Sequence, residues 1–177
     1  MKVLIIGGKG TIGKKVGEYL TKKYQVVTAG RHSGDMTVDI TDCDSISSMF
    51  QQVGTLDALI CVAGEAKWDD FNQLTEEDYY VGIKSKLMGQ VNLVRIGVKH
   101  LNEGGSITLT TGILADDPVA RTTSAAMVNG GIHSFVKSVA LELTNGIRVN
   151  AVSCGLVEDS YEIYKDQFPG HNPITMD

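Results

Sequence analysis

Residues 3–13 read Val3-Leu4-Ile5-Ile6-Gly7-Gly8-Lys9-Gly10-Thr11-Ile12-Gly13. Four apolar residues running straight into glycines predict a short strand buried on both faces, as in a parallel sheet. The glycines satisfy GxGxxG at Gly8, Gly10 and Gly13, and GxxGxxG at Gly7, Gly10 and Gly13. In a strand–turn–helix unit one glycine allows the tight turn, one lets backbone approach a pyrophosphate, and one lets the helix pack against the sheet. The helix that follows, predicted over 11–22 with Ile12, Val16 and Leu20 on one face, offers free N–H groups and its positive dipole end to a phosphate. The loop is thus a candidate dinucleotide site, with Gly7, Lys9, Gly10, Thr11, Ile12 and Gly13 around the cofactor. A glycine turn that only packs is the alternative.

Outward from this unit, strand and helix patterns alternate. Strands are predicted over 25–28, 36–38, 56–62, 106–110 and 147–152. Helices are predicted within 41–53, over most of 75–101, and over 123–143, where Val128, Ile132, Val136, Val139 and Leu143 share a face. Six strands alternating with helices imply an α/β, three-layer, doubly wound parallel sheet, because parallel neighbours need right-handed crossovers. The 177 residues suggest one domain over 1–177. Apolar residues make up 42% and charged residues 21%, ordinary for a globular protein. A net charge of −5 leaves no basic footprint and argues against a nucleic-acid partner. No apolar run approaches the roughly 20 residues of a membrane span, and no signal-peptide pattern is present. Cys43, Cys61 and Cys154 are odd in number and widely spaced, which fits reduced cytoplasmic thiols and neither a disulfide frame nor a metal site.

The end of the second strand refines the cofactor. NAD sites usually place an acid there to accept from the ribose 2′-hydroxyl. This chain has Thr28-Ala29-Gly30-Arg31-His32-Ser33 instead. The Arg31 guanidinium matches a 2′-phosphate in fork geometry, Ser33 can donate to it, and Lys9 adds charge. The pattern favours NADP over NAD; a solvated loop charge is the bland reading of Arg31.

Further motifs resemble the short-chain dehydrogenase/reductase superfamily over nearly the whole chain. Val38-Asp39-Ile40-Thr41-Asp42 resembles the family segment whose Asp and following residue touch adenine, which implies Asp39 and Ile40. Cys61-Val62-Ala63-Gly64 stands where the family has NNAG, keeping Ala63 and Gly64. Ala140-Leu141-Glu142-Leu143 and residues 147–153, Ile-Arg-Val-Asn-Ala-Val-Ser, are similar to its A-x-E-L and IRVNAVSPG stretches.

The active-site pattern departs from the family. Its Tyr and Lys positions fall on Ala125 and Asn129, its serine on Gly112 with Thr111 just before, and its helix asparagine on Lys86. Alanine cannot donate the proton that carbonyl reduction requires. A compensation is visible: the family's asparagine and lysine types have exchanged helices. The resemblance then implies that Lys86 and Asn129 meet beside the nicotinamide ribose, Asn129 bonding a ribose hydroxyl and Lys86 supplying charge. A surface lysine and a helix-packing amide are the plain readings. Thr111, at a strand end, is the hydroxyl expected to contact substrate or nicotinamide.

Other groups carry less. Tyr161 and Tyr164 follow the last strand, where the family folds a substrate flap; either could reach over the site as a surrogate acid, and apolar cover with a wet tip is the plainer reading. His133 reads as an interface or core histidine. Trp68 and Phe71 read as packing after the fourth strand, and residues 116–118 as a turn. Relatives finish with a seventh strand that is not visible here, so residues 161–177 look like an unfinished flap.

Three functions follow: an NADP(H)-dependent oxidoreductase on a small molecule with an altered catalytic set, a nucleotide-binding sensor or scaffold that has lost chemistry, or an isomerase or lyase on the same fold. A homodimer or homotetramer is expected through the long helices, with Gly89, Gly130 and Gly131 allowing close approach.

Overall fold

The structure, a computed structural model, describes residues 1–176. Strand β1 (Lys2–Ile6) lies between β2 (Gln25–Gly30) and β4 (Leu56–Cys61), with Leu4 opposite both Val27 and Leu59. Adding β3 (Met36–Thr37), β5 (Leu101–Gly112) and β6 (Arg148–Cys154) completes a parallel sheet of order β3-β2-β1-β4-β5-β6. This is the predicted doubly wound architecture. The order reverses between β1 and β4, where such sheets open a crevice at the strands' carboxyl ends.

The two faces are covered unequally. Helices α2 (Cys43–Val53), α4 (Gly89–Gly97) and α5 (Thr123–Val139) bury Ile46, Met49, Phe50, Leu93 and Ile132 against Leu4, Ile6, Leu59, Ile107 and Leu109. On the other face α1 (Thr11–Leu20) lays Val16 and Leu20 on Val3, Ile5 and Ala58. Local chemistry sets several helix ends. The Asp42 side chain accepts from the Asp44 N–H to start α2. Thr75 and Asp78 form a capping box for α3 (Glu76–Gly82), with three acids in its first turn.

Several predicted elements end elsewhere. The helix expected over most of 75–101 is α3, then a π-helical segment (Ile83–Met88), then α4 and a 3-10 turn (Val98–His100). Helix α5 stops at Val139, because residues 140–146 turn through the positive-φ pair Asn145 and Gly146. Strand β5 begins at Leu101 and not 106; its register against β4 slips between Leu101 and Ser106, with Gly104 at φ 73° taking up the irregularity.

Two of the glycines expected to open a helix-pairing surface serve the chain itself. A Cβ at Gly89 would stand 3.0 Å from the Ile40 side chain, and one at Gly131 would stand 3.2 Å from that of Leu87. Gly130 faces open space. The C-terminal segment is not merely polar: α6 (Glu158–Tyr164) leads to Phe168, which is buried with Leu114, Ala125 and Leu156. Among the described residues, no helix is long and apolar enough to cross a membrane.

Candidate active site

The glycine loop is built as its spacing requires. Gly7 takes φ 81°, and a Cβ on Gly13 would lie 2.2 Å from the Gly7 carbonyl oxygen, so the first turn of α1 can seat only with glycine at 13. Gly10 differs: a Cβ there would meet only the Gly7 oxygen at 3.4 Å, ordinary contact. Nothing inside the protein demands glycine at 10; an approaching ligand would. Gly10 also caps α1 without any side-chain hydrogen bond, and the first turn holds no acid. Its early N–H groups are left for an anion. These features fit a dinucleotide pyrophosphate.

From this loop a cleft of about 280 Å³ runs past Lys9, Arg31, Ser33, Ile40, Ala63 and Gly64. Thr11 lies outside it, exposed in the first turn of α1. Arg31 is not a free cation. Its Nη1 is 3.2 Å from Glu65 Oε1 and its Nε 3.8 Å from Asp39 Oδ2. Asp39 is held by its own turn, accepting from the Thr41 N–H at 2.9 Å and Oγ1 at 2.7 Å; these bonds keep its carboxyl below the usual range. Glu65 was not singled out by the sequence, since its distance from Arg31 in the chain gives no hint of the pairing.

At Gly64 and Glu65 the cleft meets a second cavity of about 680 Å³ above the ends of β4, β5 and β6. Lys86, Thr111 and Asn129 all line it. Lys86 comes from the middle of the π-helical segment, a distortion often found at functional sites. Gly64, at φ 135°, brings the β4 loop onto its stem: a Cβ there would be 2.8 Å from Lys86 Cγ. Burial lowers the Lys86 pKa, opposed by the Cys61 and Cys154 thiols. Among the described residues Lys86 makes no ion pair. Burial also pushes the Cys61 thiol up to about 11.

Asn129 is 3% exposed, and its Oδ1 has no partner among the described residues. Its Nδ2 lies 3.4 Å from where a Gly112 Cβ would be, so the amide stands over the family's serine position. Thr111 is 3% exposed, with Oγ1 2.7 Å from His133 Nε2. Gln90, fully buried, donates to the Ala63 carbonyl at 3.2 Å and the Thr110 carbonyl at 3.0 Å, tying together the ends of β4 and β5. Neither Gln90 nor the Thr111–His133 contact carries a sequence motif; only the sheet brings them together.

The cavity roof is apolar. Trp68 packs edge-on to Phe168 at 5.5 Å and near Tyr164 at 6.0 Å, and both Trp68 and Tyr164 line the cavity. Phe71, expected to pack beside Trp68, is instead 69% exposed. Ala125 sits in this apolar cluster, against which Tyr161 packs, and Thr111, Ser160 and Tyr164 bring hydroxyls to the cavity lining. A larger groove of about 770 Å³ lies beside α1, lined by Val16, Tyr19, Ile60 and Met176. It lacks the buried, convergent polar groups of the strand-end cavity.

A family model described as enoyl-(acyl carrier protein) reductase matches residues 12–169. Curated relatives include a glucose and ribitol dehydrogenase homolog 2 from Arabidopsis thaliana, 29% identical over 113 residues, covering 63% of this chain and 39% of that protein. Versicolorin reductase 1 from Dothistroma septosporum is 25% identical over 158 residues, 85% of this chain and 60% of that one. The chain thus spans about half the length of the curated relatives it matches. Among solved structures, the protein lin1944 from Listeria innocua is 49% identical with a TM-score of 0.98, over 99% of this chain and 88% of that one. A small-chain dehydrogenase in complex with NADPH is 29% identical with a TM-score of 0.86, over 99% and 85%.

Proposed function

The chain belongs to the short-chain dehydrogenase/reductase superfamily, and from that premise we propose that it is an NADP(H)-binding oxidoreductase acting on a small carbonyl or alcohol with a non-standard catalytic set. The observation that carries this reading is a pair of adjoining cavities that share Gly64 and Glu65. The glycine loop at one end leads through Gly64 and Glu65 to Lys86, Thr111 and Asn129 at the other. NADP is favoured over NAD because Arg31 and Ser33 stand where an acid would bind a free ribose hydroxyl, and a similar dehydrogenase is solved with NADPH.

Gly7, Lys9, Gly10, Thr11, Ile12 and Gly13 would hold the pyrophosphate, Arg31 and Ser33 the 2′-phosphate, and Asp39, Ile40, Ala63 and Gly64 the adenosine side. The bound nicotinamide supplies or accepts a hydride. In this reading Asn129 orients a ribose hydroxyl through its unpartnered Oδ1, and Lys86 places a positive charge beside it. Thr111 contacts the substrate oxygen. The roof of Trp68, Leu114, Leu156 and Phe168 excludes water and selects an apolar substituent on the substrate.

The test is NADPH consumption, followed by absorbance, against a panel of apolar aldehydes and ketones. Turnover that Lys86→Met abolishes supports the reading. Tight NADPH binding with no turnover supports the alternative, an inactive NADP(H) sensor or scaffold. That alternative is favoured by Ala125, buried in apolar surroundings where the family has its acid.

The proposal extends to one domain over 1–177, a reducing cytoplasmic setting and a homodimer or homotetramer. The three cysteines form no disulfide, and Met88 and Met127 are exposed on outer helical surfaces. Gel filtration at low micromolar concentration that gives only monomer would remove the assembly from the proposal.

A further inference from the structure

We propose that His133, acting through the Thr111 hydroxyl, delivers the proton that the missing tyrosine would have donated. This rests on the carbonyl-reduction reading above. Three polar groups run in order from the cavity wall to solvent. Thr111 lines the cavity, buried at the end of β5. Its Oγ1 lies 2.7 Å from Nε2 of His133, one turn beyond Asn129 on α5, and 3.3 Å from the Val152 carbonyl. The other ring nitrogen, Nδ1, is 3.9 Å from Asp116 Oδ2; the His133 side chain is 20% exposed and the Asp116 side chain 66%. A hydroxyl, an imidazole and a carboxylate so placed form a nucleophile–base–orienter series in geometry. In a reduction the same series runs as an acid.

The hydroxyl suits a relay because it has two uses for one hydrogen. When His133 carries a proton on Nε2, Thr111 accepts from it and donates to the Val152 carbonyl or to a substrate oxygen. As hydride reaches the carbonyl carbon, the oxygen takes the Thr111 proton and Thr111 takes the Nε2 proton. Neutral His133 then holds its hydrogen on Nδ1, beside Asp116; once product leaves, water entering the cavity returns a proton through Thr111 to Nε2, and Asp116 stabilises the imidazolium. The carbonyl has then gained one hydride and one proton, the latter drawn from solvent, and the chain is unchanged.

The groups facing the ring are Thr111 from the sheet, whose hydroxyl also reaches the Val152 carbonyl, and Asp116 from the turn before α5. Lys137, one turn on, is the cation on its own helix. Asp117 points elsewhere, 3.7 Å from His171 Nε2. His133 is a positioning residue in this scheme, since it reaches substrate only through Thr111.

Two measurements test it. The first needs no turnover: the ring-nitrogen resonances of His133, followed by NMR in the full chain with and without NADP⁺. Thr111→Val removes the partner of Nε2 and shifts the Nε2 resonance, and Asp116→Asn removes the carboxylate beside Nδ1 and shifts the Nδ1 resonance. Ring resonances unchanged in both variants overturn the coupling. The second uses NADPH and benzaldehyde. His133→Gln can keep a hydrogen bond to Thr111 but cannot carry the proton. It lowers kcat at least about tenfold and leaves the NADPH Kd and aldehyde KM within about twofold. It also flattens the pH profile of kcat, because glutamine has no ring nitrogen that gains and loses a proton. A variant with wild-type kcat and an unaltered pH profile overturns the relay. A wild-type chain that consumes no NADPH with any aldehyde overturns the oxidoreductase reading separately; the ring resonances then decide the Thr111–His133 coupling by themselves.

Discussion

The two adjoining cavities are built on different principles. The glycine loop is assembled from seven consecutive residues, and its geometry is enforced by backbone contacts that only glycine permits, such as the 2.2 Å approach at position 13. The strand-end cavity is assembled from Gly64, Lys86, Thr111 and Asn129, which lie on one loop and three separate elements. The first end is rigid and predetermined; the second depends on how a π-helical segment, a strand end and α5 come together. Substitutions at the first should therefore unsettle fold and binding together, and those at the second should separate chemistry from stability.

The largest expected effect is at Gly13. A Gly13→Ala methyl would collide with Gly7 and Gly8 backbone atoms, which cannot swing aside as a side chain can. Destabilisation of about 2–4 kcal/mol lowers Tm by about 5–15 °C, and NADPH affinity falls at least about 100-fold with the loss of the anion cradle. Differential scanning fluorimetry and a fluorescence titration read the two together. Normal binding at a normal Tm would break the contrast.

Next comes Lys86→Met, which should cut turnover at least about 100-fold with no loss of stability. A buried amine without a carboxylate partner costs desolvation free energy that methionine does not. A drop in Tm comparable to that of Gly13→Ala would show that this end is structural too.

The same lysine gives a signature in pH. Its native pKa lies below the ordinary 10.5, so between the two values the unfolded chain binds more protons and stability rises with pH. Lys86→Met loses that rise. The Cys61 thiol acts oppositely: its pKa is raised from 9.0 to about 11 by burial. The folded chain keeps a proton that the unfolded chain releases, and stability falls between those values; Cys61→Ala removes the fall. Urea midpoints across a pH series separate the two slopes.

The smallest effects concern the cofactor's 2′ end. Arg31→Ala should weaken NADPH about tenfold and leave NADH nearly unaffected. Glu65 now shares that guanidinium. Because an exposed pair contributes only about 0.2–1 kcal/mol, Glu65→Gln should tighten NADPH by about 1.5- to 5-fold. Isothermal titration with both nucleotides measures the pair.

Local pattern made much of this legible. The β1 run and the glycine spacing announce the strand, the loop and the start of α1, since their constraints act between neighbours in sequence. The parallel sheet follows from strand–helix alternation. Lys86, Thr111 and Asn129 could be named from the resemblance and from strand-end position. Local pattern did not reveal the π-helical turn that carries Lys86, or the stretch of β5 from Leu101 to Gly105. Propensity scarcely distinguishes a π-turn from an α-turn; tertiary packing around Gly64 and Lys86 does.

His133 and Glu65 mark the boundary between the two kinds of knowledge. As isolated residues, one reads as a core histidine and the other as a surface acid. Their partners lie 22 and 34 residues away, and no periodicity encodes such distances. The order of residues determined that a nucleotide cradle forms at the start of this chain, because its glycines act on backbone within a single turn. Only the folded sheet decided which side chains share the far cavity, because crossover connections bring distant strand ends and helices side by side.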